Sequence, residues 1–297
     1  MTYQQLWHRL AKVYGDGEAQ AIARLIYEVR YGLTLSDLLM GRDSSVPQDE
    51  LEQIAIRLER QEPVQYILGQ ADFWGRTFTV NEHVLIPRPE TEELCQWIVA
   101  ADNHGLTRTN GEANKGSLCQ SVQSDAKILD IGTGSGCIAI TLAAEIPEAE
   151  VTAWDISEEA LTVARENASS NHVHVSFEQV DALHLTSDIS HQTSAAFDLI
   201  VSNPPYICNK ERETMEANVL EHEPHTALFV PDDDPLLFYR AIAQYGQTAL
   251  KEGGWLYFEI NPLYAEPLRE MLSKMSYHDI MFNNDQYGKQ RMIRARR

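Results

Sequence analysis

At 297 residues, with 43% hydrophobic and 23% charged side chains, the chain has room for one large or two smaller globular domains, which excludes a disordered or fibrous protein. With 44 acidic against 24 basic side chains, its formal net charge is −20. An anionic surface on that scale repels a phosphate backbone, so a protein or small-molecule partner is expected and direct nucleic-acid binding is not.

The first sixty or so residues carry helical periodicity. Ile22, Leu25, Ile26 and Val29 recur at i, i+3, i+4 and i+7, as do Leu51, Ile54, Ala55 and Leu58. Leu35, Leu38 and Leu39 predict a short helix between them, and Pro47 is placed to open the next one. A small helical bundle accounts for this pattern. After Glu62-Pro63 the character changes: Phe78-Thr79-Val80 and Val84-Leu85-Ile86 read as two strands around the turn Asn81-Glu82-His83, a hairpin linking two domains. The polar stretch from Asp102 to Ser124 lacks apolar periodicity and reads as a surface loop.

From Lys127 onward apolar strands alternate with helical segments: Ile128 to Ile131, Val151 to Asp155, Val173 to Phe177, Phe197 to Val201 and Trp255 to Ile260. Such alternation predicts an α/β domain with a parallel, doubly wound sheet covered by helices on both faces. The segments Asp279 to Phe282 and Arg291 to Ala295 follow one another across a turn containing Gly288, and predict an antiparallel hairpin at the sheet edge. The cationic group Arg291, Arg294, Arg296 and Arg297 reads as a solvated tail or last strand.

The cysteines Cys95, Cys119, Cys137 and Cys208 form no Cys-x-x-Cys pair, so reduced thiols are expected, with no zinc site and no bound metal. The adjacent Asp232, Asp233 and Asp234 read as a solvated turn. The N-terminus lacks a charged segment followed by an apolar run, and no apolar stretch reaches the roughly 18 residues a membrane span requires. The expected setting is therefore the cytoplasm, with no membrane partner.

Two stretches carry chemistry. In the first, strand Ile128 to Ile131 runs into Gly132-Thr133-Gly134-Ser135-Gly136 and then a helix. Glycine is required where backbone approaches a ligand or takes positive φ, although a tight turn without a ligand would use the same residues. A dinucleotide fingerprint places its third glycine one residue later, where Cys137 stands, so nicotinamide and flavin are disfavoured. The alternative ligand for a Gly-x-Gly-x-Gly turn preceded by an acid is S-adenosyl-L-methionine, leaving as S-adenosyl-L-homocysteine, with Asp130 then near its cationic end. Asp155, at the end of the next strand, is placed either to accept from the ribose hydroxyls or to cap the following helix. Asp181 and Ala182, after the third strand, are placed for the adenine amino group and ring.

In the second stretch, the fourth strand ends in Ser202-Asn203-Pro204-Pro205-Tyr206. Two prolines fix φ and remove two backbone donors, leaving carbonyls that act only as acceptors. The Asn203 side-chain carbonyl and a proline-flanked carbonyl together suit both hydrogens of an NH₂ group. Such a nitrogen in an amide or aromatic amine is a poor nucleophile, and two acceptors orient it and favour the charge that develops on it. Tyr206 is placed to lie against the flat acceptor group.

Together with Pro63-Val64-Gln65-Tyr66-Ile67-Leu68-Gly69, Leu85-Ile86-Pro87-Arg88-Pro89-Glu90-Thr91-Glu92 and Glu223-Pro224 through Ala227-Leu228-Phe229, these motifs resemble the peptide chain release factor glutamine methyltransferases of HemK/PrmC type over nearly the whole chain. The resemblance implies a class I, Rossmann-like S-adenosylmethionine-dependent methyltransferase domain behind a small N-terminal helical bundle and a linking β-hairpin. The implied boundaries are residues 1–75 for a helical substrate-docking domain, 76–90 for the hairpin and 91–297 for the methyltransferase domain. The implied acceptor is the side-chain nitrogen of the glutamine in the Gly-Gly-Gln loop of peptide chain release factors. Carried over by position, Gly132 to Gly136, Asp155 and Ala182 contact the cofactor, Asn203 to Tyr206 hold the glutamine with Asn203 also beside the cofactor's methyl, and Arg88, Pro89 and Glu90 line the mouth. Catalytic roles fall to Asn203, Pro204 and Tyr206, with Pro205 shaping the pocket. Two other readings use the same motifs: an N6-adenine methyltransferase acting on DNA or RNA by base flipping, and a catalytically silent cofactor-binding scaffold.

Overall fold

A computed structural model describes residues 1–103, 126–146, 148–185 and 197–297. Most of the stretch expected to form a loop, Asp102 to Ser124, lies outside the described residues.

The chain opens with helices α1 (Tyr3–Tyr14), α2 (Asp16–Tyr31), α3 (Leu35–Leu39), α4 (Gln48–Glu59) and α5 (Val64–Leu68). The expected stripes pack inward as one apolar cluster that joins Ile22 and Ile26 to Leu51, Ile54 and Leu58, with Leu6 and Leu10 from α1. Thr2 and Thr34 cap α1 and α3, each in a reciprocal box with the residue three positions on.

Strands β1 (Gln70–Phe73) and β2 (Arg76–Thr79) pair antiparallel and seat Phe73 edge-on against Phe78. This corrects the hairpin expected over 78–80 and 84–86. The turn is Trp74-Gly75, both at positive φ (53° and 67°), the two-residue geometry whose twist matches paired strands. Residues 84–86 form no strand, because the following Pro87 and Pro89 remove the donors a ladder needs. Val84 and Ile86 are instead buried against Ala160 and Val163.

Helix α6 (Pro89–Asn103) leads to the main sheet, whose strands are β3 (Lys127–Ile131), β4 (Glu150–Asp155), β5 (Ser176–Gln179) and β6 (Phe197–Ser202), followed after two short strands by three more. The short pair is β7 (Ile207–Cys208) and β8 (Phe229–Val230), and β9 (Leu250–Glu259), β10 (His278–Asn284) and β11 (Gln290–Arg296) complete the sheet. Helices α7 (Cys137–Glu145), α8 (Glu158–Ser170), α9 (Ala217–His222), α10 (Leu237–Ala249) and α11 (Ala265–Lys274) fill the connections. The sheet order is β10-β11-β9-β6-β3-β4-β5, parallel from β9 to β5, with the antiparallel hairpin β10/β11 at the edge as expected. The third parallel strand starts at Ser176, three residues later than Val173.

Two apolar clusters cover the sheet. One joins α6, α7 and α8 residues such as Leu94, Ile140 and Ala168 to one face; the other joins α10 and α11 through Ile242, Ala243 and Leu268 to the opposite face. The chain winds outward from β3 to β5, then returns to place β6 on the other side of β3. The reversal opens a crevice at the carboxyl ends of β3 and β6, where open α/β sheets place their ligands. Ile131 pairs with Ser202, and the Ser202 hydroxyl donates to the Ile131 carbonyl at 2.6 Å, so the two functional loops leave the sheet side by side.

Gly136 begins α7 with φ 82°, and a Cβ there would stand 2.9 Å from Ile140 Cδ1 and 3.2 Å from Ala164 Cβ. Gly136→Ala therefore combines left-handed strain with overpacking between α7 and α8, and is expected to cost about 2–4 kcal/mol in urea unfolding. A midpoint equal to that of the parent would contradict this packing role.

Candidate active site

The crevice is a cavity of about 370 Å³, within the range of small-molecule sites. Its floor is the turn after β3. Gly132 and Gly134 take φ of 75° and 54°, and nothing lies within 4 Å of where their side chains would begin. The Gly132 and Thr133 amides both donate to the Trp154 carbonyl, at 2.8 and 2.9 Å, which pins the turn to the end of β4.

Asp155 holds the same junction. Its carboxylate accepts from the Gly134 amide at 2.8 Å and the Ser157 amide at 3.0 Å, while Ser157 itself caps α8. Asp155 therefore braces the start of α8, whose cap is Ser157, and also faces the cavity. Burial raises its pKa, against the opposing backbone hydrogen bonds. Asp181, Ala182 and Leu183 form the opposite wall. Burial works against the ionised Asp181, but hydrogen bonds from the Leu183 amide (2.8 Å) and His184 (2.6 Å) outweigh it and leave its pKa below the ordinary range. Ile156 and Leu183 are 56% and 38% exposed on this rim, apolar surfaces suited to the faces of a flat ring.

Two expected cofactor residues do not reach the cavity. Gly136 serves the α7/α8 contact described above, and Asp130 is wholly buried beneath the turn, accepting from the Thr133 hydroxyl at 2.6 Å. Its carboxylate braces the loop from inside through the Thr133 bond and does not line the cavity where a ligand's cationic end was expected. Gly132, Thr133, Gly134 and Ser135 do line the cavity.

At the far wall stand Asn203, Pro204 and Pro205. A narrow recess of about 110 Å³ adjoins the main cavity and shares Leu85, Arg88, Asn203, Pro204 and Ala227 with it. Tyr206 lines only the recess. Arg88 pairs with the buried Glu223, whose other oxygen accepts from the Ile86 amide at 3.3 Å, fastening the loop before α6 to the segment preceding β8. Of the expected mouth residues, Arg88 takes that position; Pro89 opens α6, and Glu90 lines neither cavity.

Beneath the recess lies a polar chain that motif reading overlooks. Asn203 Nδ2 donates to Thr91 Oγ1 at 3.2 Å, Thr91 Oγ1 donates to Glu259 Oε2 at 2.6 Å, and the Tyr206 hydroxyl donates to Glu259 Oε1 at 3.0 Å. Thr91 and Glu259 are each 2% exposed. Burial pushes the Glu259 pKa up, opposed by its two hydroxyl partners and by Arg291. Burial next to Glu259 pushes the Tyr206 phenol well up, so it remains a neutral donor. The available signal was a lone carboxylate in the apolar run Trp255 to Ile260, since a charge so placed demands partners.

Among the described residues no cluster of His, Cys, Asp or Glu is arranged to hold a metal; Asp232 and Asp234 are engaged by the Lys210 amide and Arg240. Cys95, Cys137 and Cys208 are buried, free thiols. No helix of the described residues is long and apolar enough to cross a membrane.

Fold and crevice together define a class I methyltransferase. Family models agree in two places: "Methyltransferase small domain" matches residues 113–228 and "PrmC N-terminal domain" matches residues 3–69. The chain is 45% identical to the release factor glutamine methyltransferase of Bacteroides thetaiotaomicron, over 97% of its own length and 96% of the relative. It is 41% identical to that of Flavobacterium psychrophilum, over 98% and 96% of the two chains. The chain belongs to the release factor glutamine methyltransferase family. Among solved structures, the hMettl16 catalytic domain shares the fold at 14% identity, with a TM-score of 0.53 over 82% of this chain and 91% of that one.

Burial raises the Asp130 pKa from 3.8 to about 7, so folding favours its protonated form. The resulting stability is complete below the unfolded pKa and is lost as pH rises toward 7. Asp130→Asn carries no such titration. Between about pH 4 and about pH 7.5 its stability relative to the parent should improve by on the order of 3 kcal/mol, measured by urea unfolding at each pH. A difference independent of pH would refute the assignment.

Proposed function

We propose that this chain transfers a methyl group from S-adenosyl-L-methionine to the side-chain amide nitrogen of the glutamine in the Gly-Gly-Gln loop of peptide chain release factors. One observation carries the reading: Asn203 and Pro204 stand on the wall common to the large cavity and the narrow recess, beside the glycine turn. A donor in the cavity and a slender side chain in the recess would meet there. The residues present fit the donor: a glycine floor open to close approach, a carboxylate at the end of β4, and apolar flanks for a flat base.

In this reading Gly132, Thr133, Gly134, Ser135, Asp155, Asp181 and Ala182 bind the donor, which supplies a methyl group on a positively charged sulfur. The Asn203 side-chain carbonyl and the Pro204 carbonyl accept the two hydrogens of the glutamine NH₂. That grip aims the nitrogen lone pair and favours the positive charge that grows on it during attack. Pro205 keeps the loop rigid and free of a competing donor. The Tyr206 ring, tethered through its hydroxyl to Glu259, fixes the plane of the amide. Pro87 and the Arg88–Glu223 pair hold the neighbouring wall in place.

The N-terminal bundle is the proposed docking element for the release factor. Leu39 and Met40 lie at its surface, 74% and 68% exposed, and offer an apolar contact that the bundle's own core does not use.

Incubation with labelled donor and either a release factor or nucleic acid, followed by peptide mapping, should place the label on a single glutamine. Label on adenine would overturn the proposal. Asn203→Ala is expected to lower kcat by about 100-fold or more while donor affinity, read by calorimetry, stays near that of the parent. Equal activity in that variant would remove Asn203 from the chemistry. Replacing Leu39 and Met40 together by Ser should raise KM for the release factor with kcat preserved; an unchanged KM would move the docking surface elsewhere.

A further inference from the structure

Accepting hydrogens from an NH₂ requires Asn203 to present its oxygen, yet the two ends of a side-chain amide have nearly the same shape. Something must decide which end faces the recess. Packing alone does not discriminate between them; hydrogen-bond polarity does.

We infer that Thr91 and Glu259 are positioning residues for methyl transfer, forming a one-way hydrogen-bond relay that turns the oxygen of Asn203 toward the acceptor amide. The inference rests on the function proposed above. It starts from Glu259, which as a carboxylate only accepts. Its Oε2 takes the single hydroxyl hydrogen of Thr91 at 2.6 Å. With that hydrogen committed, the Thr91 oxygen has only lone pairs left to offer, so its next partner must donate. The partner is Asn203, through Nδ2 at 3.2 Å. Planarity of the amide then sends Oδ1 the other way, and among the described residues Oδ1 takes no hydrogen bond of its own.

The second oxygen of the same carboxylate receives the Tyr206 hydroxyl. One buried group on β9 thereby orients both side chains proposed to touch the glutamine, Tyr206 directly and Asn203 through Thr91 of α6. Reversing the relay would present an NH₂ to an NH₂, with no acceptor between them.

The groups around Glu259 support its part. Arg291 on β11 and the two hydroxyl donors offset part of the burial that raises the Glu259 pKa, Tyr239 donates to the Glu259 backbone carbonyl at 3.1 Å, and Glu90 on α6 acts in the direction of burial. Thr91 sits in the first turn of α6, a helix fixed at its start by the Arg88–Glu223 pair. Thr91 also lines the main cavity, and its hydroxyl is held on both sides, by Asn203 and by Glu259.

The test compares Thr91→Val, which keeps shape and removes the hydroxyl, with Thr91→Ser, which keeps the hydroxyl, using a release factor as acceptor. Thr91→Val is expected to lower kcat by about 10–100-fold, with KM for the release factor unchanged, and Thr91→Ser to recover most of the loss. In an Asn203→Ala background, single-turnover rates should show no further effect of Thr91→Val, because the relay acts only through Asn203. Should Thr91→Val fail to fold, Thr91→Ala gives the same comparison. Parental kcat in Thr91→Val, a loss that Ser does not rescue, or a loss that persists undiminished in the Asn203→Ala background would each overturn the inference. The Asn203→Ala rate alone separates these outcomes from failure of the proposed function, since an active Asn203→Ala removes the premise whatever Thr91 does.

Discussion

The pairing of β3 with β6 is the constraint on which the site depends. Ile131 lies opposite Ser202, and a one-residue slip would turn every side chain of β6 to the other face of the sheet. Both strands are buried on both sides, so the apolar runs Ile128 to Ile131 and Phe197 to Val201 fix that register through packing on two helical layers. The glycine turn and the Asn-Pro-Pro-Tyr run then emerge next to each other without any loop having to find its place. The Ser202 hydroxyl on the Ile131 carbonyl secures the last step before the strands diverge. Function thus follows from a junction that the hydrophobic core has already set.

Much of this was legible in the sequence, because buried parallel strands and amphipathic helices write their burial directly as apolar runs and 3.6-residue stripes. Leu51, Ile54 and Leu58 fell inside the bundle, and the terminal antiparallel hairpin formed at the sheet edge. The linking hairpin was misplaced for a local reason. Trp74 at positive φ is a conformation that no propensity favours, whereas Val84 to Ile86 looks like a strand until the prolines beside it are counted as missing donors.

The site shows the same division. Glycines and prolines announce backbone geometry, so Gly132, Gly134 and the two prolines after Asn203 were readable. Acidic residues announce only that a partner exists. Asp130 looked like a ligand contact but turns inward to Thr133, Asp155 divides itself between bracing and lining, and Glu259 drew no notice although it anchors two side chains. Thr91 and Glu259 stand 168 positions apart, and nothing local to either names the other. Contacts of that span become visible only once the sheet has brought α6 and β9 together.

The paired prolines after Asn203 have a consequence for chemical discrimination. A loop stripped of amide donors, facing a side-chain oxygen, offers a visitor nothing but lone pairs. At the Asn203 oxygen and the Pro204 carbonyl a carboxylate would find repulsion where an amide finds two partners, and buried polar groups left unmatched reject an analogue far more strongly than a missing methylene does. An enzyme built in this way would distinguish glutamine from glutamate at the moment of entry.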